Sequence, residues 1–169
     1  RRSSVRWSRE THGGAGALSG RRQPRVCSVV FRMLNYALYQ VGWFVCILGA
    51  AWGWPVAAAA TGAALIGVHV VLSGRQWRRE LALVGIALAL GLIVEGFQVR
   101  SGTYSRFTSG AVVAWMSPPW LLVMWGQFAT VCHGSLKRVM LVPWRAVAFG
   151  AVGGPIAFWA GERLGAVDL

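Results

Sequence analysis

Apolar residues in this chain run in blocks of 17 to 21 positions, and the polar residues fall between the blocks more often than inside them. From Leu34 to Trp52, nineteen positions pass without a charge, about 28 Å at 1.5 Å per residue. That length crosses a bilayer and exceeds the apolar core of a secretory signal, so a retained membrane helix is expected. Gly53-Trp54-Pro55 reads as a tight turn, Val56–Leu72 as an Ala-rich second span, and Arg75–Glu80 as a short charged loop. A third span follows at Leu81–Val99, apolar except for Glu95 and Gln98. Arg100–Gly110 is polar, and Ala111–Met116 reads as an extra helical turn or an interfacial segment. Ser117 as N-cap and Pro118 in the first turn place a fourth span at 118–136, and a fifth is expected at 143–163. The fold class predicted is all-α, a polytopic transmembrane bundle of about five spans.

Composition supports that solvent. Of 169 residues 56% are hydrophobic and 13% charged, too few charges to form the polar skin of a soluble domain. Eight of the 17 basic residues lie within positions 1–32, a stretch rich in Arg, Ser and Gly that reads as a disordered N-terminal extension to a helical membrane domain at 33–169. Met33 is the first methionine and is expected to be the natural start. Beyond residue 32 nine basic residues face four acidic ones, and no basic stripe is interleaved with aromatics, so nucleic-acid binding is set aside.

The basic residues also orient the chain. Arg75, Arg78, Arg79, Lys137, Arg138 and Arg145 fall on one side and Arg100, Arg106 and Arg163 on the other. The first group is expected in the cytoplasm, with the N-terminus. Trp52, Trp54, Trp115, Trp120 and Trp159 would then mark the outer boundary, and Trp77 and Trp144 the inner one.

Lipid tails are as apolar as leucine, so membrane helices associate through close backbone approach at small residues. In GAVGGPIAFWAGERLG, starting at Gly150, the residues Gly150, Gly154, Ala157 and Gly161 share one helical face, predicted to be a packing seam. Pro155 removes an amide donor and predicts a kink, with the freed carbonyl free to line a cavity. Gly42, Cys46, Gly49 and Gly53 form a second seam in the first span, and Ala58 and Gly62 are expected to serve likewise in the second.

The run Gly153-Gly154-Pro155-Ile156-Ala157, with Ala160-Gly161 and Leu164-Gly165-Ala166-Val167, resembles the late signature of a bacterial family, domain of unknown function 2878. Met33-Leu34-Asn35, Gln40-Val41-Gly42-Trp43 and Gly53-Trp54-Pro55 are similar to that family's first helix and turn. The resemblance covers Met33 to the C-terminus. It implies a small integral inner-membrane protein in an envelope-lipid context, with a further apolar segment after the equivalent of Val167. It assigns no activity and no catalytic residue.

Ionisable groups inside spans cost roughly 2.5–3.5 kcal/mol near the centre, so each asks for a reason. An inner polar patch is expected from Asn35, Gln40, His69, Glu80, His133 and Arg145. Glu95 lies fifteen residues beyond Glu80, about 22 Å along a helix, and belongs to an outer patch with Gln98, Arg100 and Arg163. Depth therefore separates Glu95 from the two histidines, and no metal or other cofactor is predicted. Cys27, Cys46 and Cys132 are isolated, without ligand spacing. HExxH, P-loop and dinucleotide fingerprints are missing, and GALSG lacks the strand and helix of a nucleophile elbow. Glu162-Arg163 reads as an interfacial anchor.

Three function classes follow. The first is a non-enzymatic accessory or scaffold component with a membrane-protein partner or a second copy. The second is a carrier for a proton-coupled or lipid-like solute, and the third an intramembrane enzyme.

Overall fold

A computed structural model of the protein describes residues 25–104, 106–107 and 117–168, so the segment Ala111–Met116 with Trp115 and most of the N-terminal extension lie outside the described residues. The described chain is all-α. Its helices are α1 (Arg25–Ala51), α2 (Pro55–Leu72), α3 (Trp77–Arg100), α4 (Pro119–His133), α5 (Lys137–Met140) and α6 (Pro143–Arg163). Two-residue strands β1 (Arg106–Phe107) and β2 (Val167–Asp168) pair antiparallel, Arg106 opposite Asp168, and tie the end of the chain to the loop after α3.

Three segments are long and apolar enough to cross a membrane: Val29–Ala51, Pro55–Leu72 and Gly74–Arg100. Their faces are inverted relative to a soluble helix. On α3 the buried positions are Glu80, Val84, Gly91 and Glu95, while Ile93 and Phe97 are 68% and 72% exposed. Water would penalise that arrangement and hydrocarbon favours it.

Several expected boundaries move. The first helix begins at Arg25, upstream of Met33. Glu80 belongs to the first turn of α3 and not to a loop, because a single 3₁₀ turn at Gly74–Gln76 suffices to reverse the chain. The fourth span is 15 residues, about 22 Å, against the nineteen expected. It stops at His133 because Gly134 leaves the helix beside Asn35, where any side chain would strike the Asn35 amide. Pro118 itself stands before the first turn, and Ser117 makes no cap, its buried hydroxyl having no hydrogen-bond partner among the described residues.

Helix α4 is the axis of the bundle, with α1, α2 and α3 packed around it. Glycines set the closest approaches. A Cβ on Gly49 would lie 2.6 Å from that of Ala58, so α1 and α2 cross there in close contact. Gly42 and Gly62 make room for the Gln127 side chain between the same two helices, and Gly91 receives the ring of Trp125 against α3.

The expected α6 seam behaves differently. A Cβ on Gly150 or Gly154 would meet nothing within 4 Å, and one on Gly161 makes only ordinary contacts with Val167 and Ile47. These glycines do not draw α6 onto another helix. Gly53 is likewise no seam residue: its φ of +81° makes it the turn between α1 and α2, with open space beside it. The α6 helix runs continuously through Pro155. Aromatic contacts join it to the rest of the chain, where Phe149 stacks on Phe128 and Phe158 tilts against Tyr104.

Candidate functional site

Two polar sites are built along α3, one at each end. At the α2–α3 and α4–α5 end, four helices each contribute a side chain. Asn35 on α1, His69 on α2 and Glu80 on α3 are buried, and His133 on α4 is partly so. Glu80 joins the two histidines: one carboxylate oxygen lies 2.6 Å from Nδ1 of His133 and the other 3.4 Å from Nε2 of His69. Asn35 closes the chain, its amide nitrogen 3.0 Å from Nδ1 of His69 and 3.2 Å from the Thr130 carbonyl. The backbone amide of Ser135 donates to Asn35 Oδ1 at 3.2 Å, and the Ser135 hydroxyl lies 2.7 Å from the same oxygen.

The structure brings together Asn35, His69, Glu80 and His133 of the expected inner patch. It does not bring in Arg145, which is exposed with its guanidinium over Trp144, or Gln40, which is only partly buried and makes no hydrogen bond to the cluster among the described residues. Ser135, Ser73 and the Thr130 carbonyl are members that sequence reading missed. Hydroxyls and carbonyls near a helix end carry no signal of their own in a sequence.

The other end holds Glu95, fully buried. The Tyr104 hydroxyl donates to one of its carboxylate oxygens at 2.6 Å, and Trp125 Nε1–H donates to the other at 2.9 Å. This corrects the expected outer patch. Arg100 is exposed and Arg163 lies over Trp159, so neutral donors replace the arginines beside Glu95. Tyr104 lies in the loop after α3, where burial first and then its bond to Glu95 raise its phenol above the ordinary range. Gly91 stands one turn before Glu95 on the same face, and its missing side chain is what lets the Trp125 ring lie close enough to donate. Trp120, expected at the outer boundary, is instead 1% exposed in the core with Cys46, Ile47 and Leu121.

Between Glu95 and α6 opens a cavity of about 470 Å³. Its floor is aromatic, from Trp43, Trp125 and Phe128, and its far wall is the Gly150, Gly153, Gly154 and Ala157 face of α6. Gln98 and Glu95 supply its polar groups, and Val167, at the β2 strand, is part of the lining. The pocket beside His69 and Gln127 measures about 10 Å³, room for one water. Among the described residues no group of three or more His, Cys, Asp or Glu side chains is placed to hold a metal ion.

Compared with known proteins, residues 32–169 match the family model described as "Protein of unknown function (DUF2878)". Neither the curated proteins nor the solved structures contain a match to the chain.

Proposed function

The chain belongs to the DUF2878 family of unknown function, and we propose that it is a non-enzymatic membrane component that holds an apolar, lipid-like molecule in the cavity beneath α6. The cavity is the observation that carries this reading. Its volume of about 470 Å³ falls within the range of small-molecule sites, and so does its composition, an apolar lining with few polar groups. A bilayer protein that needed only to pack would close such a space, since van der Waals contact is what holds membrane helices together. Here the small residues of α6 face the void, which leaves the width of a side chain to an occupant. Glu95, with Gln98 beside it, offers a hydroxyl or amide headgroup a hydrogen-bonding anchor at one end.

The same proposal includes the setting. We place the chain in the bacterial inner membrane as a multi-pass protein in an envelope-lipid context. The N-terminus and the α2–α3 and α4–α5 turns are cytoplasmic, a reading supported by Arg75, Arg78, Arg79, Lys137 and Arg138. Exposed Trp52, Trp54 and Trp159 suit one interface, and exposed Trp77 and Trp144 the other. Reporter fusions at positions 76, 105 and 140 test that arrangement.

Native mass spectrometry of the purified chain, released from detergent, tests the cavity. The expected result is a one-to-one adduct of lipid-like mass that disappears in Gly150→Leu/Gly154→Leu while the thermal midpoint is kept. A wild-type chain free of any adduct, and unlabelled by a photoreactive fatty acid in vesicles, overturns the proposal. Equal labelling of the double variant overturns it too.

A further inference from the structure

The two ends of the α6 cavity differ in chemistry. Gly150 and Gly161 both line it, so it extends about 16 Å along that helix. Near Gly150 the walls are the rings of Phe128 and Phe149. The other end lies where α3 leads into α4. Two polar side chains line it beside Glu95: Gln98, in the last turn of α3, and Trp120, in the first turn of α4.

Hydrogen-bond accounting shows which of these groups is open to a ligand. Glu95 has no exposed surface, and its oxygens already accept from Tyr104 and Trp125. The Gln98 side-chain amide is half-buried in the wall and makes no hydrogen bond among the described residues. Trp120 is 1% exposed, and its indole N–H is buried with no acceptor among the described residues. A buried donor without an acceptor costs free energy that an occupant's oxygen would recover. An indole N–H only donates, whereas a carboxamide both donates and accepts, so the pair suits a hydroxyl or a carbonyl.

Charge narrows the headgroup further. No Lys or Arg is among the described residues that line the cavity. Arg100 and Arg163 stand outside it, the first exposed and the second over Trp159. The donors of Trp125 and Tyr104 are already given to Glu95. A phosphodiester keeps its negative charge, and here it would be buried without a cation, which is far more costly than burying a neutral oxygen.

We propose that the α3–α4 end of the cavity is a headgroup site for an uncharged, phosphate-free lipid. Gln98 and Trp120 bond its hydroxyl or carbonyl oxygens, and its hydrocarbon lies along the glycine face of α6. The assignment rests on the cavity holding a lipid-like molecule, as proposed above, and adds which class of lipid is taken and which residues select it.

Native mass spectrometry of the full chain, with two probes that share an oleoyl chain, separates the class from the cavity. Monooleoylglycerol carries hydroxyl and ester oxygens without charge; lyso-phosphatidylglycerol adds a phosphodiester. From an equimolar mixture the wild type is expected to take up monooleoylglycerol in roughly tenfold excess, the factor that about 1.4 kcal/mol supplies. Gln98→Leu is expected to lose most of that excess, since one hydrogen bond is worth up to about this factor. The ratio of the probes, unlike total uptake, does not change when a variant merely loosens the cavity. Equal uptake by the wild type, a preference for the phosphate, or a Gln98→Leu variant with the wild-type ratio overturns the headgroup site and leaves the cavity a lipid site. A wild type that binds neither probe overturns both. Should Gln98→Leu fail to fold, the wild-type ratio decides alone.

Discussion

Glu80 and Glu95 stand on one helix, both buried, and are held by opposite kinds of partner. Glu80 sits between two imidazoles, and the pocket on the far side of His69 measures about 10 Å³. Glu95 takes a phenol and an indole hydrogen and borders a cavity of about 470 Å³. A carboxylate between imidazoles is held by rings from two other helices. One satisfied by neutral donors beside a void can admit a molecule without an exchange of charge between neighbours. Burial is common to both; partner chemistry and free volume separate them.

The largest break in this comparison is Glu80→Leu. It strands the Nδ1–H of His133 and leaves the Nε2–H of His69 only the distant Ser73 oxygen, and removing one member of a buried charged network costs roughly 3–5 kcal/mol. A fall of the thermal midpoint in detergent measures it, and Glu80→Gln, which keeps shape and one acceptor, is expected to lose clearly less. A midpoint in Glu80→Leu equal to wild type would mean that the cluster contributes nothing to the fold.

Next comes the contrast between two glycines. At Gly62 even a Cβ would stand 2.7 Å from Val123 and from Gln127, so Gly62→Leu is expected to cost about 1–3 kcal/mol of overpacking. Gly154→Leu enters empty space and is expected to stay within about 0.5 kcal/mol of wild type. Unfolding of both variants in mixed micelles checks the difference, and comparable losses would show that α6 packs more tightly than the cavity implies.

Trp125→Phe is a smaller change. It removes the indole donor and leaves one Glu95 oxygen unpaired, at about 1–3 kcal/mol. Because that oxygen then turns to the cavity, a ligand with a hydroxyl headgroup should recover part of the loss, read as a larger ligand-induced rise in midpoint than wild type shows. Smallest of all, Arg163→Ala gives up a surface contact with Trp159 and should shift stability by roughly 0.5–1 kcal/mol or less. A larger effect would give Arg163 a role that its exposed position does not suggest.

Much of this was legible in the chain and some was not, for identifiable reasons. Asn35, His69, Glu80 and His133 stood out because a polar residue inside an apolar block is costly, so scarcity itself marks them. Trp125 and Tyr104 did not. One tryptophan among ten, and a tyrosine in a polar loop, look no different from interfacial anchors until the fold turns them to Glu95. Nor does the sequence show that Gln127 fills the notch left by Gly42 and Gly62. The α6 stripe misled in the other direction. Small residues at helical spacing show that space is left open on one face, and they carry no information about whether a helix or a void takes it.

The amino-acid sequence by itself determined the solvent and the class. Long uncharged blocks with few charges to clothe them fold as helices in hydrocarbon, where each backbone satisfies its own hydrogen bonds. Only the tertiary structure decided which of the buried groups meet. Asn35, His69, Glu80 and His133, drawn from four helices, converge in one cluster, and one glycine seam closes while another stays open. Those outcomes depend on how far each helix is rotated and where it crosses α4. Many side chains together set that rotation, and no local pattern in the chain encodes it.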